Sequence, residues 1–338
     1  MKIYSDSLHK IAYATDASVY REIPYGVAYP AKVADIQELM RTAKEKGVDL
    51  IPRAGGTSIA GQVVGSGIVA DISKHWNKIL EINSEERWAR VQPGVVRDEL
   101  NIALKPYGLF FSPETSTSNR CCIGGMFGNN SCGTHSLVYG STRHHVIAAK
   151  GVLTDGTLFD TERLEPSPLM DNILAQLKGW TDDEKIRKLI GTHYPDKSLQ
   201  RRSSGYAIDE AIDIVKDNPG LAICKLLAGS EGTLAFITEI TVSLDVLPPK
   251  EIMVVCAHCD TLQKAFEANL IALSHQPTAI ELMDGDILEL SKGNQEQQKN
   301  RFFVDGNPAA LLMTELRADT REELDNWAAV LENDLLYS

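Results

Sequence analysis

The chain has 338 residues and a mass of 37.1 kDa, which is enough for about two domains with cores of their own. It holds 34 Lys and Arg against 46 Asp and Glu, so the formal net charge is −12, which argues against nucleic acid or an anionic membrane as the main partner. Hydrophobic residues make up 43% of the chain, and this content excludes wholesale disorder.

Nothing in the sequence indicates export or membrane insertion. No apolar run approaches the ~18 residues of a transmembrane segment, and the N-terminus lacks a signal peptide. The six cysteines are irregularly spaced and form a poor disulfide framework, so we predict a cytoplasmic protein. Cys256 and Cys259 form a CxxC pair without a second ligand pair nearby, which favours structural cysteines over a redox or metal site. We therefore predict no metal site.

The first elements predict a small strand–helix–strand unit. Apolar residues at helical spacing predict a helix over 33–43 that ends at Gly47, with strands before it and after it up to Arg53. GIVADIS at 67–73 predicts one further strand.

Two hairpins and a helix follow. KILEINSEERWARVQPG at 78–94 predicts a hairpin, and residues 95–105 predict an amphipathic helix. VIAAKGVLTDGTLFD at 146–160 predicts a second hairpin with Asp155 and Gly156 at its turn.

The second half of the chain changes character twice. Residues from about 163 to 220 are polar and helical, which is typical of an insertion or a lid, and strand alternation resumes at 232–248. Pro248 and Pro249 mark a candidate domain boundary. The remaining 89 residues predict a β-α-β-α-β-α order, so the fold class is α+β rather than a regular βαβ array.

The first of three glycine clusters is PRAGGTSIAGQVVGSG at 52–67. Such a loop can turn successive backbone N–H groups into one concavity that holds an anion. Gly56 to Gly61 has the spacing of a phosphate-binding P-loop, but Gln62 replaces its lysine. The GxGxxA run at 65–70 leads into a strand and not a helix, so it is no dinucleotide fingerprint. A flexible surface loop is the alternative.

The second cluster, at 112–142, is rich in Gly, Ser, Thr and Asn. Its composition suits a wall of short donors around a diphosphate and a sugar-like chain, although a plain polar loop has the same composition. The third cluster, AGSEGTLAFIT at 228–238, is a turn that feeds a strand. Taken alone, its GSEG is typical of an ordinary turn.

These three segments occur in an order that resembles a known family. PRAGGTSIAGQ, SPETSTSNRCCIGGMFGNNSCG, YGST, a DG hairpin and AGSEGTLAFITE closely resemble the FAD-binding half of FAD-linked oxidases, the vanillyl-alcohol oxidase and p-cresol methylhydroxylase superfamily. The nearest branch resembles D-lactate, glycolate and D-2-hydroxyglutarate dehydrogenases, especially long bacterial proteins that also carry an iron–sulfur region. The resemblance runs from about residue 12 to 248.

The resemblance implies a PCMH-type FAD-binding domain of two α+β subdomains followed by a cap domain. The implied ranges are 1–19 for an N-terminal extension, 20–248 for the FAD-binding domain with subdomains at about 20–75 and 76–248, and 249–338 for an incomplete cap. If the cap is truncated, we expect the strands near 252–258 and 308–316 to show an open edge.

The resemblance also implies the residues that bind FAD. The first segment contributes Pro52, Arg53, Ala54, Gly55, Gly56, Thr57, Ser58, Gly61 and Gln62. The second contributes Pro113, Glu114, Thr115, Ser118, Gly124, Gly125, Asn129, Asn130, Ser131 and Gly133. The third contributes Glu231, Gly232 and Ile237. Some members tether FAD through a His in the first loop, where this chain has Thr57 and Ser58, so dissociable FAD is implied.

The implied reaction removes a hydride from the α-carbon of a D-2-hydroxy acid and passes it to flavin N5. Arg202 and Tyr206, in RRSSGY, are weak candidates for residues that face the substrate, and the catalytic base is unknown. The branch's H-x-G-D-G-N-x-H-like run is absent here. Two hypotheses follow: a 2-hydroxyacid dehydrogenase whose electron acceptor or iron–sulfur region lies outside this chain, or an FAD-binding module without turnover.

Overall fold

A computed structural model describes residues 1–199, 201–202 and 205–337. The chain divides into two compact units, one made of Met1–Gly133 with Gly140–Val246 and the other of Thr134–Tyr139 with Leu247–Ser338. Each unit has its own sheets and hydrophobic core. The mixture of helix and sheet confirms the predicted α+β class.

The first unit begins with a small parallel sheet. Its strands are β1 (Gly26–Ala28), β2 (Leu50–Arg53) and β3 (Ile68–Asp71), in the order β1-β3-β2, with helices α1 (Ser7–Ala12) and α2 (Val33–Lys46) alongside. Gly47 ends α2 in the left-handed conformation at φ 63°, which confirms the predicted C-terminal signal. Ile36 and Leu39 of α2 are fully buried with the apolar side chains of β3. This packing leaves the end of β2 and the loop after it at one edge of the layer.

A five-stranded antiparallel sheet forms the larger layer of this unit. Its strands are β4 (Ile79–Asn83), β5 (Trp88–Val91), β7 (Val146–Leu153), β8 (Leu158–Asp160) and β9 (Ala235–Ser243), in the order β4-β5-β9-β7-β8. The β4–β5 and β7–β8 pairs confirm both predicted hairpins. The late strand β9 lies at the centre, between β5 and β7. The turn that carries the third glycine cluster therefore joins the middle of this sheet.

Helices cover this sheet and line the main core. They are α3 (Arg97–Leu104), α4 (Ile123–Asn129), α6 (Thr142–His145), α7 (Pro168–Asp182), α8 (Glu184–His193), α9 (Ile208–Ile214) and α10 (Pro219–Leu227), with a 3-10 turn at Lys105–Tyr107 and a short pair of β6 (Leu109–Phe110) with β10 (Asp245–Val246). The predicted helices at 163–220 are present. Apolar residues of α7, α9 and α10, such as Leu177 and Ile223, belong to the main core rather than to a detached lid.

The second unit is a three-stranded antiparallel sheet with helices. Its elements are α5 (Ser136–Tyr139), β11 (Glu251–Cys259), α11 (Leu262–Ser274), β12 (Ala279–Asp284), α12 (Gly285–Lys292), α13 (Gln295–Gln298), β13 (Ala310–Ala318) and α14 (Arg321–Tyr337). The strand order is β11-β13-β12, with α11 and α14 packed against the sheet over Leu312 and Leu316.

The expectation of open edges in this sheet is half right. Among the described strands β11 pairs with β13 alone, so the open edge expected near 252–258 is confirmed. The open edge expected near 308–316 is wrong, because β13 pairs with β11 on one side and β12 on the other. The last strand of a βαβαβ order can insert between the earlier two, and the linear pattern does not reveal this.

A polar cluster ties residues 134–139 to the sheet of the second unit. His135 Nε2 lies 2.8 Å from Glu315 Oε1, which also accepts hydrogen bonds from Arg317 Nε at 2.7 Å and Thr278 Oγ1 at 2.8 Å. Burial acts to raise the pKa of the Glu315 carboxyl, but these hydrogen bonds outweigh it and lower the pKa. The cluster therefore holds a negative charge on β13.

The cysteines are buried or half-buried free thiols. Burial raises the pKa of Cys122 to about 12 and that of Cys224 to about 11, so these groups stay protonated at neutral pH. Burial also raises the pKa of Cys256 and Cys259, which supports a structural role for the CxxC pair. In the part of the chain that the structure describes, no helix is long and apolar enough to cross a membrane.

Candidate functional site

The loop after β2 presents backbone donors that the protein does not use. Within the described residues, the N–H groups of residues 56–61 donate to no protein acceptor. Gly56 and Gly61 have φ values of 61° and 82°, which turn the chain through left-handed conformations. A row of unsatisfied N–H groups on such a turn forms a concavity suited to an anion. Gly55 has a packing role, since a Cβ there would lie 2.5 Å from the Arg120 carbonyl oxygen.

Arg53, at the end of β2, places its guanidinium beside the loop, because a Cβ on Gly56 would lie 2.7 Å from its Nη2. Its Nη1 donates to the Thr15 carbonyl oxygen at 2.8 Å, and its guanidinium lies 5.2 Å from the centre of the Tyr13 ring. Pro52 precedes it and lies beside Gly232, where a Cβ would come within 3.3 Å of the proline ring. The end of β2 thus brings the first glycine segment next to the third.

Helix α4 offers a face without side chains. A Cβ on Gly124 would lie 2.4 Å from Pro93, so close packing requires this glycine. A Cβ on Gly125 would meet nothing nearer than Ala54 at 3.6 Å, and one on Gly128 nothing nearer than the Glu231 Cα at 3.9 Å. A Cβ would therefore fit at either position in ordinary van der Waals contact, so protein packing does not require the last two glycines.

The second segment is held by its own polar side chains. Pro113 accepts a hydrogen bond from Arg97 Nε at 2.6 Å, and Ser118 Oγ donates to the Thr115 carbonyl oxygen at 2.7 Å. Glu114 packs so closely on Gly133 that a Cβ on the glycine would lie 2.1 Å from the Glu114 Cγ. These contacts position the segment before α4 against the segment after it.

The end of α4 is joined to the third segment by hydrogen bonds. Asn129 Nδ2 donates to Glu231 Oε1 at 2.9 Å, and Gln62 Nε2 lies 3.5 Å from the same oxygen. Gln62 in turn accepts a hydrogen bond from Ser58, and Ser131 Oγ donates to Asn129 Oδ1 at 3.0 Å. One polar chain, from Ser58 to Ser131, therefore links all three glycine segments through Glu231.

Glu231 is the charged member of this chain. The surrounding turn removes part of the water from its carboxyl, which raises the pKa of Glu231 above its ordinary value, although Asn129 and Gln62 act to lower it. Its backbone is left-handed, with φ 52°. Ile237, in contrast, lies inside β9 opposite Gly151 and packs against the main core.

The two candidates for substrate contacts lie in different surroundings. Arg202 donates to Asp209 Oδ2 and Oδ1 at 2.5 and 2.7 Å and to Glu210 Oε1 at 2.9 Å, and these bonds raise its pKa. Tyr206 is 40% exposed, and its hydroxyl lies 2.7 Å from Thr233 Oγ1, two residues beyond Glu231. The positive charge of Arg202 is therefore paired with carboxylates inside the protein. Tyr206, in contrast, lies at the rim of the three segments.

These residues fit FAD. The cofactor carries an anionic diphosphate, which the N–H groups of residues 56–61 suit, and hydroxyl-bearing chains, which the polar chain through Glu231 suits. Because Gly125 and Gly128 carry no side chains, the cofactor could approach the backbone of α4 closely. The sequence-based set did not include Gly128. Its position in a GGxxG run on a helix, three residues after Gly125, was a signal that could have identified it.

Comparison with known proteins decides the identity of this region. The family model described as FAD binding domain matches residues 24–162, which include the first two glycine segments. Residues 24–162 are thus similar to FAD binding domains. FAD is therefore the cofactor, as the sequence predicted. The third segment, at 228–238, lies beyond the matched range and joins the site through Glu231.

The chain is also similar to named enzymes along most of its length. It is 39% identical over 298 residues to D-2-hydroxyglutarate dehydrogenase of Pantoea ananatis, and 35% identical over 299 residues to the enzyme of the same name from Haemophilus influenzae. Each match covers 84% of this chain and 28% of the relative. The chain thus spans under a third of the length of these relatives.

A solved structure of alkyldihydroxyacetonephosphate synthase shares the fold. It matches with a TM-score of 0.64 at 18% identity, over 99% of this chain and 56% of that protein. At this identity the likeness concerns the fold alone, and it agrees with the predicted fold class. The family model and the named relatives confirm the resemblance stated from the glycine segments.

Proposed function

We propose that the protein is an FAD-dependent dehydrogenase of a D-2-hydroxy acid, with D-2-hydroxyglutarate as the favoured substrate over lactate and glycolate. The observation that carries the proposal is the 35–39% identity to D-2-hydroxyglutarate dehydrogenases over 84–86% of the chain. A relative named glycolate oxidase subunit, from Bacillus subtilis, reaches 27% over 81% of the chain. The difference in identity favours the dicarboxylic hydroxy acid.

When bound, FAD supplies the acceptor for the hydride that leaves the substrate α-carbon. The N–H groups of residues 56–61 would hold its diphosphate without a lysine, and the glycine face of α4 would lie along it. Asn129 and Glu231 would bind its hydroxyl groups, in the way that an acidic residue binds ribose in dinucleotide folds. We propose non-covalent binding, since Thr57 and Ser58 replace the tethering His of some relatives.

Of the two candidate substrate residues, we propose Tyr206 for the site and a supporting role for Arg202. The Arg202 guanidinium is 12% exposed and bonded to two carboxylates, so it would bind a substrate carboxylate only after it left them. Tyr206 reaches Thr233 at the rim of the three segments and has an exposed ring. Because Thr233 Oγ1 donates to the Ser230 carbonyl oxygen, the Tyr206 hydroxyl donates to Thr233, and its oxygen can accept a hydrogen bond from a ligand.

The organisation of the whole protein is part of the proposal. We propose an FAD-binding domain at 20–248, with its subdomains as predicted, a cap that begins at 249, and no nucleic-acid partner. The electron acceptor or iron–sulfur region would lie outside these residues. A cytoplasmic location is supported by the six free thiols, which are typical of a reducing compartment.

The test follows the flavin band of the chain. The 338-residue protein is loaded with FAD, its absorbance near 450 nm is recorded without oxygen, and D-2-hydroxyglutarate, D-lactate and glycolate are added in separate samples. We expect D-2-hydroxyglutarate to bleach the band fastest. L-2-hydroxyglutarate is the matched control, because it differs only in the configuration of the carbon that loses the hydride.

Three other outcomes of this test are informative. Faster bleaching by D-lactate or glycolate would contradict the substrate proposed here. A flavin band that no hydroxy acid bleaches would favour the alternative, an FAD-binding module without turnover. Failure of the chain to take up FAD would contradict the site itself.

A further inference from the structure

The N-terminal residues 13–22, which we call the strap, form a small closed unit beside the first glycine loop. The Glu22 N–H donates to the Ala14 carbonyl oxygen at 2.9 Å, and Thr15 pairs with Arg21 in an antiparallel bridge. Ala14 is fully buried. The matched FAD binding domain begins at residue 24, so the strap lies outside it.

The strap is anchored to the strand that follows the loop. Tyr13 donates its hydroxyl proton to Asp71 Oδ2 at 2.5 Å, and burial together with this bond raises the pKa of the Tyr13 hydroxyl. Asp71 is buried at the end of β3 and also accepts hydrogen bonds from the N–H and hydroxyl of Ser73. The strap is thus fixed to the sheet at one end of the loop.

The strap also contacts the loop itself at three points. The Thr15 carbonyl oxygen accepts from Arg53 at the start of the loop, and the Ala17 N–H donates to the Gly56 carbonyl oxygen at 3.2 Å. The Tyr20 ring lies against Gly61, where a Cβ would come within 2.7 Å. Start, middle and end of the loop are each in contact with one short segment.

These contacts use the loop's carbonyl oxygens and glycines but leave its N–H groups available. When the Gly56 carbonyl accepts a hydrogen bond from the strap, its oxygen is held on the strap side, and the N–H of the same trans peptide points to the opposite side. Because a glycine-rich loop has many conformations, fixing three of its points removes entropy that FAD would otherwise have to overcome. One polar atom of the strap, Asp16 Oδ2, is buried without a hydrogen-bond partner among the described residues.

We propose that residues 13–22 are a positioning element of the FAD site, which preorganises the loop at 53–61 so that its N–H groups face the diphosphate. This inference rests on the proposed assignment of that loop to the diphosphate. It gives Arg53 a hydrogen bond that holds the strap, in addition to the cofactor contact expected from the sequence. It also makes residues 13–19, predicted as an extension, part of the binding site.

The test removes one strap–loop hydrogen bond and measures FAD affinity. Ala17→Pro deletes the N–H that holds Gly56, and Ala17→Ser keeps it as the matched control. Affinity is measured with FAD by quenching of flavin fluorescence, and the thermal midpoint of the FAD-free protein is measured alongside. We expect the dissociation constant of Ala17→Pro to rise about tenfold, with Ala17→Ser unchanged and both midpoints within about 3 °C of the unaltered chain.

A second variant covers the case in which Ala17→Pro disturbs folding. Tyr13→Phe removes only the hydroxyl that anchors the strap to Asp71, and Tyr107→Phe, at an exposed position on the 3-10 turn, is its control. We expect Tyr13→Phe to weaken FAD binding several-fold and Tyr107→Phe to leave it unchanged.

The outcomes separate the strap from the site. If the unaltered chain binds FAD and both Ala17→Pro and Tyr13→Phe bind it with the same affinity, the proposed role of the strap is wrong. The assignment of the FAD site is not affected by that result. An equal loss of affinity in Ala17→Ser would also overturn it, because that variant keeps the N–H. Absence of FAD binding by the unaltered chain would overturn the assignment of the loop, and the strap with it.

Discussion

Asn130 and Glu231 are two residues without glycine's freedom that adopt left-handed backbone conformations, at φ 53° and 52°. Each costs roughly 1 kcal/mol relative to glycine, so the surrounding contacts must compensate. Asn130 Oδ1 accepts from the Arg143 N–H at 2.9 Å, and the Glu231 N–H donates to the Gly128 carbonyl oxygen at 2.9 Å. The strain is thus located where α4 meets the third glycine segment.

The raised pKa of Glu231 predicts a pH dependence at this residue. An acid whose pKa is higher in the folded state contributes stability at low pH and loses it as the pH rises through the raised pKa. Glu231→Gln removes that loss. We expect the free energy of unfolding of the variant, relative to the unaltered chain, to increase as pH rises from about 4.5 to about 7.

Urea unfolding of both proteins across this pH range checks the prediction. Glu85→Gln, on the exposed turn between β4 and β5, corrects for the loss of one surface carboxyl. A difference between Glu231→Gln and the unaltered chain that shrinks as the pH rises would show that the carboxylate is stabilised by the fold, contrary to the prediction.

At the scale of elements, helix α4 has one face packed in the core and another face that carries no side chains. Its IGGMFGN sequence buries Ile123, Met126 and Phe127 in the main core, and no close protein contact requires glycine at positions 125 and 128. Glycine inside a helix costs up to ~1 kcal/mol relative to alanine. Since no protein contact requires these two glycines, we interpret them as the face of α4 that the ligand approaches.

Gly125→Ala should therefore separate stability from binding. We expect the FAD-free protein to gain up to ~1 kcal/mol in its free energy of unfolding, because alanine favours the helix. We expect the dissociation constant of FAD to rise about tenfold, because the added methyl takes space beside the cofactor. Fluorescence titration and urea unfolding measure the two effects.

Gly179→Ala in α7 is the matched control for this experiment. A Cβ there would meet nothing within 4 Å, so the same gain in helix stability is expected with no change in FAD binding. If Gly125→Ala also left FAD binding unchanged, the cofactor would not lie along α4.

At the scale of the whole molecule, a chain with a net charge of −12 binds an anionic cofactor. The structure reconciles the two because the loop offers neutral N–H groups and the guanidinium of Arg53 lies beside Gly56, whereas Arg202 is paired with Asp209 and Glu210. The local donors would hold the diphosphate, while the negative electrostatic potential of the whole chain repels the anionic cofactor as it approaches.

This balance predicts an unusual salt dependence. We expect the association rate constant of FAD to increase a few-fold as ionic strength rises from about 0.01 M to about 0.15 M, because salt screens the long-range repulsion. Stopped-flow fluorescence of the flavin measures it. A rate that falls as salt is added would indicate attraction by unpaired Lys or Arg side chains, and would contradict a site built on backbone donors.

Local patterns in the sequence were sufficient for the helix ended by Gly47, both hairpins, the α+β class and the three glycine segments. These features depend on contacts between residues close in the chain, on turn chemistry and on periodicity, so the sequence carries them directly. The same segments, taken in order, identified FAD as the cofactor.

Long-range packing decided the rest. The hydrogen bond from Arg53 to the Thr15 carbonyl oxygen and the central position of β13 depend on residues distant in the chain. The meeting of Gln62, Asn129 and Glu231 joins positions up to 169 residues apart. No local pattern encodes such pairings, because a side chain's partner is set by which elements pack together after the chain has folded.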